Sequence, residues 1–135
     1  FSGDLMDIHN IKHEFTLPNM ILYAGSTWDW HKIHYDNEYL KKNSIPKPVV
    51  DGQVFGALIV KQIQATFGKF SRIKKMKFNY KNMVFQDEEI EIKSNVLSEW
   101  KEDEKKFFEI SSSIYVNERI IIMNASTVVE LKNYE

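Results

Sequence analysis

An α+β fold, an antiparallel sheet wrapped around one buried helix, is what this sequence of 135 residues predicts. Three observations carry that expectation. From Gly52 to Phe67 the chain reads Gly-Gln-Val-Phe-Gly-Ala-Leu-Ile-Val-Lys-Gln-Ile-Gln-Ala-Thr-Phe, apolar nearly all round in its first half and amphipathic in its second. A helix that begins without a polar face is buried there. From Phe70 onward the apolar period changes to two, the period of strands that turn one face inward. One short stretch ahead of the helix alternates in the same way, so a single strand precedes the helix and a run of strands follows it.

Taken in order, Phe1 to Asp7 is too short and mixed to assign. Ile8 to Leu17 places Ile11, His13, Phe15 and Leu17 on alternate positions and reads as the first strand. His9 and His13 are then ordinary surface or edge residues. Pro18 ends the strand, and Asn19 can cap a short helix carrying Met20, Ile21, Leu22 and Tyr23, which Gly25-Ser26 breaks. Asp36 is placed to cap a second short helix, Asn37 to Lys42, with its acid early and its lysines late as the helix dipole prefers, ending at Asn43. Ile45-Pro46-Lys47-Pro48 must be extended, because each proline biases its predecessor away from helix. Asp51 precedes the central helix, and Gly68 is its natural stop. Gly56 inside that helix costs about 1 kcal/mol relative to Ala, so a close approach by sheet or ligand is expected there.

After the helix, Met76, Phe78 and Tyr80 alternate with polar residues, as do Ile90, Ile92 and Val96. Phe108, Ile110, Ile114 and Val116 share one strand face, and Ile121, Met123, Val129 and Leu131 share another. Gln86-Asp87, the charged stretch Ser98 to Lys105 and a tight turn at Asn117-Glu118 separate them, which is the pattern of an antiparallel meander. No internal repeat, low-complexity tract or second domain interrupts residues 1–135, so a single domain is expected.

Composition narrows the function classes. A hydrophobic fraction of 43% and an aromatic fraction of 13% exclude a disordered chain. A formal net charge of -1 and a pI near 6.5 give no global reason to expect nucleic acid or an anionic membrane as partner. There are no cysteines, which excludes disulfides, thiol catalysis and thiolate metal sites and is compatible with a reducing cytoplasm. No apolar run approaches the roughly 18 residues that span a bilayer, and no basic segment followed by an apolar core opens the chain. A soluble cytoplasmic protein is therefore expected. Lys69, Arg72, Lys74, Lys75, Lys77 and Lys81 gather positive charge after the helix. They read either as a strand face balanced by Glu88, Glu89 and Glu91 opposite or as contacts for phosphates.

The chemistry concentrates in Ser26-Thr27-Trp28-Asp29-Trp30-His31-Lys32-Ile33-His34-Tyr35-Asp36, which gathers acids and imidazoles among aromatics as nothing else in the sequence does. Asp29 and His34 can converge on one small molecule, with Trp30 and Ile33 as walls. A carboxylate and an imidazole facing one water can position it and shuttle its protons. The plainer alternative makes Asp29 a helix cap and His34 a satisfied hydrogen-bonding residue. Trp28, Trp30, Phe55 and Tyr35 read as the wall of an apolar tunnel or as core. His31, His34, Asp29 and Asp36 lack a helical H-x-x-x-H pair, so no metal is expected. A G-x-S-x-G, phosphate-loop or dinucleotide fingerprint is also missing.

The run A-G-S-T-W-D-W-H-K-I-H-Y-D, followed by Pro48-Val49-Val50-Asp51-Gly52 and an apolar helix, resembles the MaoC-like dehydratases and R-specific enoyl-CoA hydratases of the hotdog fold. Their usual form is close to S-G-D-x-N-P-x-H-x-D and then I/V-V-H-G. The resemblance covers most of the chain. It matches Asp29 to the catalytic Asp, His34 to the catalytic His, Asp36 to the acid that follows, and Gly52 to the glycine at the start of the helix. His31-Lys32 stand in place of Asn-Pro, and Asp51 in place of His.

The resemblance implies reversible hydration of 2-enoyl thioesters, or dehydration of (R)-3-hydroxyacyl thioesters, carried by coenzyme A or acyl-carrier protein. Asp29 and His34 would activate the water, and Gly52 N–H would stabilise the enolate. Trp28, Trp30, His31, Asp51 and Phe55 would line the substrate, and no cofactor or metal is implied. Asp51 would be either the helix N-cap or a charge facing the enolate. At least a homodimer is implied, with a heteromer possible. Two other readings stay open, a thioesterase on the same fold and a non-catalytic acyl-thioester-binding or partner subunit.

Overall fold

A computed structural model describes residues 8–68 and 70–132 of the chain. The elements follow in the order β1 (Ile11–Glu14), α1 (Leu17–Thr27), a single 3₁₀ turn (Lys32–His34), α2 (Asn37–Lys42), α3 (Gln53–Phe67), β2 (Ser71–Lys77), β3 (Glu89–Glu102), β4 (Lys105–Val116) and β5 (Arg119–Lys132). The five strands form one sheet in the order β1-β3-β4-β5-β2, and each neighbouring pair is antiparallel. α3 lies in the hollow of this sheet. It buries Phe55, Leu58, Ile59, Ile63 and Phe67 against Ile90, Ile92, Phe108, Ile110, Ile114, Ile121, Ile122 and Val129. Each such side chain contributes roughly 1.5–3 kcal/mol relative to exposure, so the helix and the sheet hold each other.

Gln62 is the polar exception on the inward face of α3, at 2% exposure. Its Nε2 donates to the carbonyls of His9 (2.8 Å) and Ile92 (3.1 Å). Its Oε1 accepts from the Ser94 hydroxyl at 2.5 Å, which in turn shares a hydrogen bond of 2.7 Å with Ser112. A buried amide satisfied on both sides costs little, and this one ties α3 directly to His9 and β3 and, through Ser94, to β4. Gly56 is where the second half of β2 comes close: a Cβ there would lie 3.4 Å from Phe78 and 3.6 Å from Met76. Those are side-chain contacts of the sheet, in line with the expected close approach.

Several expectations are corrected. The first strand stops at Glu14, because Thr16 caps α1 by accepting from Asn19 N–H at 3.4 Å and Leu17 and Pro18 belong to the helix. Proline is welcome in a first turn, where its missing N–H would have no partner. The cap is therefore Thr16 and not Asn19. Nor does Gly25-Ser26 break the helix. α1 runs to Thr27 and ends at Trp28, whose φ of 59° is left-handed and whose N–H bonds Ala24 C=O. The hydroxyls of Ser26 and Thr27 donate back to Leu22 and Tyr23 C=O at 2.9 Å each, so both polar groups are satisfied within the helix.

The charged stretch after Ser98 is not a connection but the paired ends of β3 and β4, closed by Asp103-Glu104 with φ of 50° and 64°. Two consecutive positive φ angles mark the hairpin turn whose twist suits flanking strands. Met123 does not share the inward face of Ile121. Irregular register near Ile114 and a φ of 54° at Asn124 turn it outward, to 42% exposure. The lysines of β2 do not face Glu88, Glu89 and Glu91 either. β2 pairs with β5, whereas those glutamates adjoin β1 at the far edge. The acid that a β2 lysine meets is Glu130, 3.9 Å from Lys74 and also 3.0 Å from Lys105 at the start of β4. Lys69 lies outside the described residues.

The second helix is as expected. Asp36 Oδ1 accepts from Glu38 N–H at 3.0 Å and Tyr39 N–H at 3.2 Å. Because one carboxylate oxygen serves both donors, Asp36→Ala is expected to lower the unfolding free energy by about 1 kcal/mol. Urea denaturation measures it, and an unchanged midpoint would show the cap to be dispensable.

Candidate active site

His34 is placed by the 3₁₀ turn and fixed by one hydrogen bond. Its Nδ1 lies 2.6 Å from the carbonyl of Val49, which can only accept, so Nδ1 carries the proton. In the neutral ring Nε2 is then an acceptor turned toward the acids. Val49 is itself held by its N–H on Ile33 C=O (3.0 Å), while Val50 N–H bonds Val84 C=O (2.8 Å) and Gln86 N–H bonds Pro48 C=O (2.9 Å). The extended Pro48–Val50 segment is thus clamped between the 3₁₀ turn and residues 84–86. It delivers Asp51 beside His34.

Asp29 arrives from the other side. The left-handed turn at Trp28 reverses the chain, and Asp29 N–H bonds Ala24 C=O at 3.0 Å. Asp29 Oδ1 accepts from His31 N–H at 3.4 Å, leaving Oδ2 for the site, 3.8 Å from His34 Nε2. Asp51 divides its oxygens in the same way. Oδ1 accepts from the N–H of Gln53, the first residue of α3, at 3.0 Å, and Oδ2 lies 4.0 Å from His34 Nε2. The N-cap of α3 is Gly52 and not Asp51, which precedes it, is tied to the first turn through Gln53 N–H, and is a member of the cluster. Asp29, His34 and Asp51 each offer one ligand atom, all within 4.8 Å of one another, a spacing that a proton or a cation can occupy.

The electrostatics separate the two carboxyls. The hydrogen bond with Asp51, and then the N–H of His31, hold the Asp29 carboxyl below its usual range. Burial, and then the hydrogen bond with Asp29, push the Asp51 carboxyl up. Two tyrosines respond to the same acids. Burial and then the charge of Asp51 raise the Tyr23 hydroxyl, and the same two causes push Tyr80 up to about 12.

Two cavities adjoin the cluster. An inner one of about 80 Å³ lies beneath α1, lined by Phe15, Met20, Tyr23, Asp51 and Val54 among others. An outer groove of about 390 Å³ is lined by Ile33, Gly52, Phe55, Tyr80, Lys81 and Met83 among others. His34 and Val50 line both, so the imidazole is common to the two. Gly52 N–H, at the mouth of α3, makes no hydrogen bond among the described residues, as the first donors of a helix characteristically do not.

Of the residues singled out in the sequence, the structure brings together Asp29, His34, Asp51, Gly52 and Phe55. Trp28 and Trp30 are elsewhere. Trp28 is 80% exposed and meets Trp30 edge-on, Trp30 meets Tyr35, and neither indole lines either of these two cavities. His31 caps the 3₁₀ turn by accepting from Ile33 N–H at 3.1 Å on Nδ1. Asp36 is occupied as the α2 cap. Of the described members of the lysine cluster only Lys81 lines the groove. Sequence reasoning missed Tyr23 and overlooked Tyr80 as anything but a strand residue. No local pattern marks either, since both reach the site through tertiary packing.

A family model described as a MaoC like domain matches residues 8–117. The chain belongs to the MaoC-like family. Its fold is that of the MaoC-like solved structures. The (R)-hydratase from A. caviae involved in PHA biosynthesis is 16% identical with a TM-score of 0.80, over 93% of this chain and 95% of that one. R-hydratase PhaJ1 from Pseudomonas aeruginosa is 12% identical with a TM-score of 0.83, over 95% and 82%. The ChsH1-ChsH2 complex from Mycobacterium tuberculosis contains a chain 12% identical with a TM-score of 0.79, over 93% and 94%. No curated protein matches the sequence. Likeness at such identity speaks to the fold, and this MaoC-like chain has the hotdog fold, α3 wrapped by its curled antiparallel sheet. No helix among its described residues is long and apolar enough to cross a membrane.

Proposed function

We propose that this MaoC-like protein hydrates 2-enoyl thioesters and dehydrates the matching (R)-3-hydroxyacyl thioesters. The observation that carries the reading is the convergence of two acceptors, Asp29 Oδ2 and His34 Nε2, 3.8 Å apart beside two cavities. One water can donate to both at ordinary O–H distances of about 2.8 Å. Its freed lone pair then faces whatever carbon the inner cavity presents. Attack at C3 drives charge onto the thioester oxygen. Gly52 N–H at the positive end of α3 is available to receive it. Removing one such donor costs about 3 kcal/mol of barrier.

The cavities also suggest how the substrate lies. The thioester arm occupies the outer groove, where Lys81 can meet a phosphate of coenzyme A or of a carrier protein's prosthetic arm. The acyl tail beyond C3 enters the inner cavity. At about 80 Å³ that space is roughly half of the 150 Å³ cavity that takes up one benzene ring, so a tail of a few carbons fits and a long one does not. The exposed edge strand β2, with Tyr80 47% and Met83 53% exposed nearby, is the surface on which a second hotdog subunit would pair. The partner there is a second copy of this chain or, as the ChsH1-ChsH2 complex among the solved likenesses favours, a different hotdog chain.

The test is the loss of enoyl absorbance on 2-enoyl-CoAs of four to twelve carbons with the purified chain. Hydration fastest on the four- and six-carbon members and falling by about tenfold or more at longer lengths is expected. Equal rates at all lengths would show that the inner cavity does not hold the tail. Release of free thiol in place of hydration would make the protein a thioesterase. Turnover only with a second protein present would make it one half of a heteromer.

A further inference from the structure

The cluster has more acceptors than donors. With His34 Nδ1 committed to Val49, the ring's Nε2, Asp29 Oδ2 and Asp51 Oδ2 all face one another as acceptors. Asp51 Oδ2 is buried and receives no N–H donor, since the other oxygen of that carboxyl serves Gln53 N–H, so only a proton shared with Asp29 can satisfy it. Like charges crowded within 4.8 Å disfavour ionising both carboxyls, which sets the pair up to share one proton. Asp29 is the more solvated of the two, its side chain 38% exposed against 11% for Asp51. The proton therefore belongs on the buried Oδ2 of Asp51. That places an acid one residue before Gly52 and 4.0 Å from the nitrogen that faces the water. A substrate with its carbonyl on Gly52 and its C3 at the water has its C2 between those points, against Asp51.

We propose that Asp51 is a third catalytic residue, the acid that protonates C2 while Asp29 and His34 deprotonate the attacking water. The inference rests on the hydratase reading above. In the hydration direction the water oxygen bonds C3, its proton passes to His34 Nε2, and the C2=C3 electrons move to the thioester oxygen. As that oxyanion collapses, C2 takes the proton from Asp51 Oδ2. The proton on His34 then returns to the Asp51 carboxylate, and one water has been added with the site restored. A cluster built this way accounts for an Asp where the family's usual pattern has a His. The role requires the protonated form of Asp51, so the rate of hydration falls as pH rises through its raised pKa. The titratable and charged groups around Asp51 are His13 from β1, Tyr23 from α1, Asp29 and His34 beside it, and Tyr80 and Lys81 beyond β2.

The experiment compares the parent with Asp51→Asn, which keeps an acceptor for Gln53 N–H and removes the acid proton, on the hydration of a four-carbon 2-enoyl-CoA across pH. A kcat lower by roughly 100-fold, with KM within a few-fold and the alkaline decline of the parent profile abolished, is expected. Asp51→Ser, a capping residue without an acid proton, serves if the Asn variant melts early. An Asp51→Asn rate and pH profile equal to the parent's would overturn the proposal, as would a change confined to KM. Loss of parent activity in EDTA, restored by a divalent cation, would show a cation in place of the shared proton and overturn it as well. The underlying reading fails separately. If Asp29→Asn is inactive and Asp51→Asn fully active, the hydratase stands and the third residue falls. A parent without hydratase activity removes both.

Discussion

Asp29→Asn and His34→Ala are each expected to lower kcat/KM for enoyl-thioester hydration by roughly 10³-fold, within the range for a positioned acid or base. The reason lies in the two contacts a water would make. His34 Nε2 is an acceptor only because Nδ1 donates to Val49 C=O at 2.6 Å, so truncation removes the base and leaves a gap that water fills without direction. Asn at position 29 puts a neutral amide where an ionised oxygen stood 3.8 Å from that nitrogen. Neither change should unfold the chain, because Asp29 is partly exposed and both residues are outside the core cluster. The double variant is expected within about tenfold of either single one, since residues that act on one water act as a unit. The pH dependence has a definite sign. Asp29 works ionised, and its pKa is lowered by the hydrogen bond with Asp51, so its contribution is present at neutral pH and is lost only as pH falls through that lowered value. Steady-state kinetics beside thermal unfolding decides the matter. Retention of more than a tenth of parent activity in either folded variant would remove the pair from the chemistry.

How far these features could be read beforehand differs by element. α3 was legible because an apolar run closed by Gly68 leaves few other options, and its bounds differ from the expectation only at Gly52. α2 was legible because Asp36 is a cap with acid and lysines on the proper sides. The beginning and end of α1 were not, because Thr16 and Asn19 are both acceptable caps and the Gly25-Ser26 signal is overridden when Ser26 and Thr27 satisfy their hydroxyls on the preceding turn. Alternation located the strands but not their faces throughout. One irregularity near Ile114 is enough to turn Met123 outward, since a one-residue slip exchanges the faces. In the site, Asp29 and His34 are five positions apart and their convergence depends on a short local turn, which a motif can encode. Asp51, Gly52, Tyr23 and Tyr80 meet them through the fold, and only the first two lie in a recognisable pattern. The tryptophans misled because a large aromatic beside a polar pair looks the same in sequence whether it lines a cavity or covers a helix end.

Gly52→Ala carries the other large expected effect, and for a reason unrelated to backbone freedom. Gly52 has φ −62° and ψ −25°, which any residue adopts. What excludes a side chain is Tyr80. Its hydroxyl donates to Gly52 C=O and stands where a Cβ would go. Its ring cannot simply slide, because Phe55 and Phe78 lie against it at centroid distances of 5.9 Å and 5.6 Å. Ala therefore forces either Tyr80 or the first turn of α3 to move. The first course breaks the hydrogen bond and opens the outer groove. The second shifts the free N–H of residue 52 and the Asp51 carboxyl together. Displacements of about 1 Å near reacting groups cost roughly 100-fold in rate, and the added methyl costs about 1–3 kcal/mol of stability as overpacking. A paired Tyr80→Ala substitution removes the clash. Gly52→Ala with Tyr80→Ala should thus recover most of the stability lost by Gly52→Ala alone, and as much of the rate as the Tyr80→Ala single variant keeps. If Gly52→Ala by itself matches the parent in melting and in rate, Tyr80 swings out into solvent at no cost, and its contact with Gly52 has no part in holding the start of α3.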